Sequence, residues 1–370
     1  MPSARRSAFV HRALALTLVL RIVYSLLAAF FIRIPLDHDA ALAATNATWT
    51  LYTPADGWRY LLLGPWQRYD ALWYDHIATA GYDRAKATVF YPLYPILMRT
   101  LHALLPFAPT ILCGLLISTV AAFFVFWGLQ ELADDESRKT AALRGLLLFA
   151  LWPTGFILFA GYAEALLLAL MVWSIWFGRR NQWWLAGFLG LLAGLTKATG
   201  CLVAIPLLLC AWRTNRNYRS APALLPAFAY PLYQLWLHRS GFPASTEVYR
   251  QDWHTTVSMP WITLIDGFRQ FHAEPGWVLG ASLVATLLVL AGSFFLRREL
   301  ALFCWAVIAF FLLKHTDPIM QSSMRYSMIA FPVFIAAGRF THLITVPLTT
   351  FFLLLNVACL FLVVHWGLII

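Results

Sequence analysis

The chain has 370 residues, of which 61% are hydrophobic and only 12% are charged. A typical soluble protein has ~25% charged residues, so a soluble globule of this composition would aggregate. The composition therefore excludes a cytosolic enzyme, a nucleic-acid binder and a disordered chain. The formal net charge of +10 indicates the basic cytoplasmic loops of a membrane protein rather than a DNA-binding face.

Apolar segments recur along the whole chain. Arg5, Arg6 and Arg12 precede the first of them, which continues to Ile32 and is expected to be an uncleaved first span. Ten further apolar runs follow, at about 110–130, 141–159, 162–178, 183–198, 199–212, 221–238, 276–296, 300–314, 327–344 and 346–368. Because ~20 apolar residues cross a bilayer, this pattern predicts an all-α polytopic membrane protein with about eleven transmembrane helices, several of them short.

The basic clusters orient the predicted spans. With the amino terminus inside, arginine and lysine fall in every main cytoplasmic segment if the stretch 183–212 is split at Lys197 to Gly200. The same arrangement places residues 33–108, 239–275 and 315–326 on the outer face. The chain, 1–370, is therefore expected to be one transmembrane domain, with its chemistry in a large first outer loop (33–108) and a second outer loop (239–275).

The first outer loop contains the densest group of acidic and aromatic residues. The stretch from Asp70 to Gly81 is expected to form a short helix with Gly81 as its C-terminal stop. Trp73 and Tyr74 follow Asp70 by three and four residues and therefore share its face. Two interpretations remain open. Asp70 is either only an N-cap beside an interfacial aromatic anchor, or a general base that deprotonates a hydroxyl group next to rings on which a sugar stacks.

Three ionisable residues further along the chain stand at or near the ends of apolar runs: Glu164, Lys197 and Arg325. The predicted topology brings all three to the outer ends of their helices, where they would share one pocket. Lys197 or Arg325 would provide the cation for an anionic group of a substrate, while Glu164 would orient the cation or the sugar. The alternative is that Glu164 and Lys197 only neutralise each other, or that Lys197 extends to the interface.

Several segments resemble a known family. Arg68-Tyr69-Asp70, Gly81-Tyr82 and the Phe-Tyr-Pro-Leu-Tyr-Pro segment at 90–95 resemble the first outer loop of the PIG-V-like mannosyltransferases. These are the second mannosyltransferases of GPI-anchor synthesis and their bacterial relatives. The segments 161–166 and 196–200 resemble two further motifs of the family at span ends, and Arg325-Tyr326 is a looser match. The family belongs to the glycosyltransferase C superfamily, whose members use lipid-phosphate-linked sugars and usually act through a carboxylate in the first outer loop.

The resemblance implies a glycosyltransferase C-like fold with Asp70 as the catalytic carboxylate. The side chains expected to bind substrate are Arg68, Tyr69, Trp73, Tyr74, Tyr91, Glu164, Lys197, Arg325 and Tyr326. A second acidic group, Asp37-His38-Asp39, follows the first span, where many members of the superfamily keep a catalytic acid or a metal-binding pair. It competes with Asp70 for the catalytic role. A solvated loop is the alternative, because adjacent residues rarely converge on one metal ion.

Together, the residues and the resemblance predict an inverting membrane glycosyltransferase in a bacterial plasma membrane. It would transfer a mannose-type hexose from a polyprenyl-phosphate-linked donor to a hydroxyl group of a glycolipid or glycan on the outer face. The expected mechanism requires neither a metal nor another cofactor. The competing hypothesis is a transporter or flippase of lipid-linked sugars, in which Glu164 and Lys197 mark the substrate path.

Overall fold

The computed structural model describes residues 2–36, 49–136, 139–214, 218–316, 319–320 and 322–367. The chain is 78% helical, and the expected all-α class is confirmed. In chain order the helices are α1 (Pro2–Phe31), α2 (Trp58–Leu62), α3 (Asp70–Ala80), α4 (Leu93–Leu104), α5 (Thr110–Glu136), α6 (Lys139–Ala150), α7 (Glu164–Arg179), α8 (Trp183–Thr196), α9 (Ala204–Thr214), α10 (Leu225–Arg239), α11 (Ser245–Asp252), α12 (Pro260–Ala273), α13 (Trp277–Ser293), α14 (Arg298–Leu312), α15 (Ser323–Ser327), α16 (Pro332–Ala337) and α17 (His342–Val364). Within the described residues two short strands, β1 (Thr256–Val257) and β2 (Lys314–His315), form one antiparallel pair.

The helices are compatible with a membrane protein. Among the described residues, three helices are long and apolar enough to cross a bilayer, over Arg6–Phe31, Thr110–Ala133 and His342–Val364. Four shorter apolar helices accompany them, over Thr140–Ala150, Trp183–Thr196, Ala198–Thr214 and Trp277–Ser293. Large apolar side chains such as Leu26 and Phe30 on α1 and Leu354 on α17 are exposed. Exposed apolar side chains of this size on long apolar helices are typical of a surface that contacts lipid.

The expectation of about eleven helical spans is not confirmed. The run at 141–159 ends as an α-helix at Ala150 and continues as the 3-10 helix Gly155–Phe159. Pro153 lies between the two and cannot donate the backbone hydrogen bond that would continue the helix. The run at 327–344 is broken into the end of α15, a 3-10 helix over Met328–Ala330, and α16. The break expected near Lys197 is present, because α8 ends at Thr196 and Lys197 has an extended backbone.

Close helix packing places the segments that carry the site. α7 packs against α5 and α8, and most of its side chains are buried. A Cβ atom on Gly128 of α5 would lie 2.5 Å from Val172 of α7, so only glycine permits this approach. A Cβ atom on Gly200 would lie 2.1 Å from the carbonyl of Ala193. Glycine at residue 200 therefore lets the segment after Lys197 turn back against α8.

The two ends of the helical bundle differ in charge. At the basic end, Arg6 of α1 lies 3.3 Å from Glu131 of α5, and Arg213 of α9 lies 2.5 Å from Glu299 of α14. Arg180, just after α7, lies over the ring of Trp176, and Arg6 approaches the same ring. The opposite end, which we call the site end, contains α3, the start of α7, the end of α8 and α15. These arginines thus lie at the end that the predicted topology assigns to the cytoplasm.

The two loops that the predicted topology places outside, at 33–108 and 239–275, meet at the site end. α11, in the second loop, packs against the 3-10 helix Ala85–Val89 of the first loop. β1 of the second loop pairs with β2, which follows α14, so that Thr256 lies opposite His315 and Val257 opposite Lys314. Three segments that are far apart in the sequence therefore surround the same region.

Candidate active site

Asp70 is the first residue of α3. This helix spans Asp70–Ala80 and is followed by Gly81, whose φ is 85°, so the short helix expected at this position is confirmed. Tyr69, directly before it, has a φ of 49°, which is unusual for an aromatic residue. Such a backbone costs about 1–3 kcal/mol and persists only where its surroundings hold it. The Tyr69 ring packs against Trp366 with 5.2 Å between the ring centroids, and this contact supports the turn that presents Asp70.

The far end of α3 is held from outside the helix. Arg99 donates a hydrogen bond of 2.7 Å to the carbonyl oxygen of Ala78, in the last turn, where helical carbonyl groups lack partners. Beyond the helix, Arg84 and His76 both contact the carboxylate of Asp83. These two neighbours lower the pKa of Asp83 to about 2. α3 is therefore a supported element on which Asp70 has a defined position.

Asp70, Arg325, Glu164 and Lys197 form one ion network, which we call the buried quartet. Arg325 Nη1 donates to Asp70 Oδ2 at 2.6 Å, and Arg325 Nε lies 3.5 Å from Glu164 Oε1. Lys197 Nζ donates to the same Glu164 oxygen at 2.6 Å. The side chains of Arg325 and Glu164 are only 4% and 3% exposed, and those of Asp70 and Lys197 are each 18% exposed. The network has two cations and two carboxylates, so its charges balance.

Aromatic rings orient the two cations of the quartet. The Tyr326 hydroxyl accepts a hydrogen bond of 2.9 Å from Arg325, and the Tyr326 ring lies 4.9 Å from Lys197 Nζ. Tyr326 is itself stacked on Phe311, with 3.9 Å between centroids and 7° between planes. The Tyr162 ring lies 5.6 Å from the guanidinium carbon of Arg325. These contacts restrict both cations to the geometry of the quartet.

The quartet borders a cavity of about 830 Å³. Asp70, Lys197 and Arg325 line it, whereas Glu164 lies behind the two cations. Trp73 forms part of the wall, stacked on Phe90 with 5.6 Å between centroids and 15° between planes. The remaining residues that line the cavity are Trp49, Tyr69, Leu72, Tyr74, Arg84, Lys86, Val89, Phe90, Tyr249, Asp252, Trp253, His254, Thr255, Phe311, Leu312, Lys314, Thr316, Met320, Ser322, Ser323, Tyr326 and Trp366. A space of this size and composition accommodates a sugar attached to a larger group.

Besides Glu164, which lies behind the cations of the quartet, two of the residues expected to bind substrate do not line this cavity. Arg68 donates hydrogen bonds to the carbonyl oxygens of Val364 (2.8 Å) and Gly64 (2.9 Å), and so connects the first outer loop to the end of α17. Tyr91 lies in a separate buried cluster, with its ring 4.4 Å from that of Tyr233. The other expected residues are in the quartet or in the cavity wall. Both exceptions are supporting residues, because their polar or aromatic groups are engaged elsewhere in the protein.

The competing acidic group, Asp37-His38-Asp39, lies outside the described residues.

The sequence predicted chemistry in the second outer loop, but it did not identify which residues of this loop and of the segment after α14 line the cavity. Tyr249 and Trp253 from this loop line the cavity, as do Lys86 from the first loop and Lys314 from β2. No spacing in the sequence connects these residues. Only the β1–β2 pairing and the packing of α11 bring them together.

No family model, curated protein or solved structure matches the chain. The chemistry of the quartet and its cavity, together with the motifs that resemble the PIG-V-like family, is therefore the basis on which a function is proposed.

Proposed function

We propose that the protein is an inverting membrane glycosyltransferase. It transfers a mannose-type hexose from a polyprenyl-phosphate-linked donor to a hydroxyl group of a glycolipid or glycan acceptor at the outer face of the membrane. The observation that carries the proposal is a carboxylate, Asp70, held at the wall of an aromatic cavity by a buried arginine. The resemblance of the segments around Asp70, Glu164 and Lys197 to the PIG-V-like family specifies the sugar and the donor.

The proposed reaction is a single displacement. The acceptor hydroxyl oxygen forms a bond to the anomeric carbon while the bond from that carbon to the phosphate oxygen breaks, and the bonding pair leaves with the phosphate. The hydroxyl proton passes to the Asp70 carboxylate, which acts as general base. Because the acceptor attacks from the face opposite the phosphate, the configuration at the anomeric carbon inverts.

Arg325 and the aromatic wall would prepare the site for this step. The 2.6 Å contact from Arg325 fixes the direction of the Asp70 carboxylate before substrate binds, so little reorganisation is needed during the reaction. The Trp73 ring offers an apolar face against which the hexose packs. Among the described residues that line the cavity outside the charge-balanced quartet, Arg84 already contacts Asp83, and Lys86 and Lys314 outnumber Asp252. This excess favours a substrate that carries phosphate.

The test is a transfer assay with the whole protein. Purified protein in liposomes is incubated with radiolabelled polyprenyl-phosphate mannose and a mixture of glycolipid and glycan acceptors. The proposal predicts label in a new glycosidic product that is stable to the mild acid that cleaves the donor. Movement of labelled donor across the bilayer with no new linkage would support the flippase hypothesis and overturn the enzyme.

A further inference from the structure

A second pair of cations lines the same cavity away from the quartet. Lys86 Nζ lies 5.1 Å from the centroid of the Trp253 ring, and Lys314 Nζ lies 4.2 Å from that of the Tyr249 ring. Tyr249 lies in the last turn of α11, and Trp253 directly follows the last residue of this helix, so the two rings are about one helical turn apart in the sequence. The two ammonium groups therefore lie against neighbouring rings of one short element.

Backbone contacts position both lysines. Lys314 belongs to β2 and is paired with Val257 of β1, and Ser258 donates a further backbone hydrogen bond of 2.9 Å to Leu313. Lys86 lies in the 3-10 helix Ala85–Val89, against which α11 packs. Both side chains are partly buried rather than extended into solvent. The two lysines therefore belong to one surface that is formed by β2, the 3-10 helix Ala85–Val89 and α11.

The charge environment of this pair differs from that of the quartet. Lys197 and Arg325 each contact a carboxylate, and Arg84, which also lines the cavity, contacts Asp83. Within the described part of the chain, neither Lys86 nor Lys314 has a carboxylate within 4.0 Å. Among the residues that the structure describes, Asp252 is the other acidic side chain along this cavity apart from Asp70. Two lysines and one aspartate leave an excess positive charge here.

This difference changes where a phosphate group is expected to bind. An anion placed on the quartet would enter a buried network whose charges already balance, and it would have to compete with Asp70 or Glu164. Among the described residues, an anion placed at Lys86 and Lys314 meets two ammonium groups that lack a competing carboxylate contact. The sequence-based expectation that Lys197 or Arg325 holds the lipid phosphate is therefore less favourable than binding at the second pair.

We infer that Lys86 and Lys314 form a phosphate-binding site for a lipid-linked substrate, separate from the buried quartet. Three donor hydrogens on each ammonium group match the oxygens of a phosphate, and charge-assisted hydrogen bonds of this kind are the strong ones. The lipid phosphate comes either from the sugar donor or from an anionic acceptor lipid. The role in turnover rests on the proposed function, but the binding of phosphate does not.

The test is a binding measurement that needs no turnover. The full-length protein in neutral detergent is titrated with farnesyl phosphate, with phosphatidylglycerol and with farnesol, and the affinities are compared with those of Lys86→Gln, Lys314→Gln and the double variant. Arg84→Gln is the matched control, since it removes a cation from the same cavity that already contacts Asp83. Thermal unfolding of each variant checks that the fold is retained.

The inference predicts that the double variant binds farnesyl phosphate, phosphatidylglycerol or both roughly tenfold more weakly or worse, because each lost contact is a charged hydrogen bond. Farnesol binding and the Arg84→Gln variant should be nearly unaffected. Loss for farnesyl phosphate alone identifies the donor as the source, and loss for phosphatidylglycerol alone identifies an anionic acceptor. Unchanged affinities for both phosphates in the double variant, or no binding of either by the wild type, would overturn the site. Failure of sugar transfer with intact phosphate binding would count against the proposed function only.

Discussion

The two ends of the helical bundle both contain arginine–glutamate pairs, but the arginine side chains are half-exposed at the basic end and buried at the site end. At the basic end, Glu131 and Glu299 are buried while their partners Arg6 and Arg213 are 56% and 51% exposed. At the site end, both Arg325 and Glu164 are almost fully buried. Water therefore solvates one member of each basic-end pair, whereas the charges of the quartet are compensated chiefly by one another.

This contrast separates structural charges from charges that suggest a function. Half-exposed pairs contribute little to stability and are consistent with a role in orienting the protein in a membrane. A buried network costs several kcal/mol of desolvation per ion, and a well-packed apolar cluster would often be as stable. The protein nevertheless keeps four such charges beside its large cavity. Chemistry at the site end is the simplest reason for retaining them.

The largest expected effect is a difference in stability between two variants, each of which removes one buried carboxylate from one end of the bundle. Glu164→Gln leaves Lys197 and Arg325 buried with Asp70 as their only partner in the quartet. We expect it to lower the free energy of unfolding by about 3 kcal/mol, because an uncompensated buried charge remains. Glu299→Gln at the basic end should cost less than ~1 kcal/mol, since water can solvate Arg213.

Denaturant unfolding of the two variants and the wild type in the same detergent measures this difference. Equal losses of stability for Glu164→Gln and Glu299→Gln would remove the distinction between the two ends. A greater loss for Glu299→Gln would reverse it.

A smaller effect is expected for the aromatic side chains of the two ends. Trp73→Ala removes the ring that stacks on Phe90 in the cavity wall, and we expect the KM for the sugar donor to rise roughly tenfold. Trp184, which is 74% exposed at the start of α8, is the matched tryptophan at the basic end. Trp184→Ala should leave KM unchanged. Steady-state transfer kinetics decide the point, and an unchanged KM in Trp73→Ala would mean that the sugar does not contact this wall.

The smallest effect concerns the contact of the half-exposed Asp83 carboxylate with Arg84 and His76 at the site end. This contact serves as a reference for the buried quartet. Arg84 and His76 lower the pKa of Asp83 to about 2, so their stabilisation is present above the unfolded-state pKa of ~3.9 and is lost as the pH falls towards 2. Because Asp83 is 41% exposed, the loss should stay below ~1 kcal/mol. Between pH 5 and pH 3, the Tm of the wild type should fall slightly more than the Tm of Asp83→Asn. Identical decreases would mean that this pair does not stabilise the fold.

The quartet was predictable from the sequence because charged residues in apolar runs are conspicuous. Glu164 and Lys197 interrupt long hydrophobic stretches, and alternating span directions place both at one end. The start of α3 at Asp70 followed from helix-boundary signals, with Gly81 as the stop. In each case the signal lies in a few neighbouring residues. The alternating direction of the predicted spans is then enough to place these residues at the same end.

The remaining features depend on tertiary structure that leaves no local signal. Lys314 reaches the cavity through a strand pair of two residues each, too short to produce an alternating pattern. Nothing in the sequence distinguishes Arg68, which binds backbone carbonyl groups, from an arginine that binds phosphate. The number of spans was uncertain for a similar reason, because apolar composition does not reveal where Pro153 ends a helix and a 3-10 segment begins.

The most direct test of the central claim is the activity of Asp70→Asn in the transfer assay. Asparagine keeps the shape and an oxygen that accepts from Arg325, but it is not a base, so the rate should fall at least ~100-fold while the fold is retained. Asp252→Asn removes an exposed carboxylate from the same cavity and should keep at least about half of the wild-type rate. Near wild-type transfer by Asp70→Asn, at matched expression and per amount of folded protein, would contradict the assignment of Asp70 as the general base.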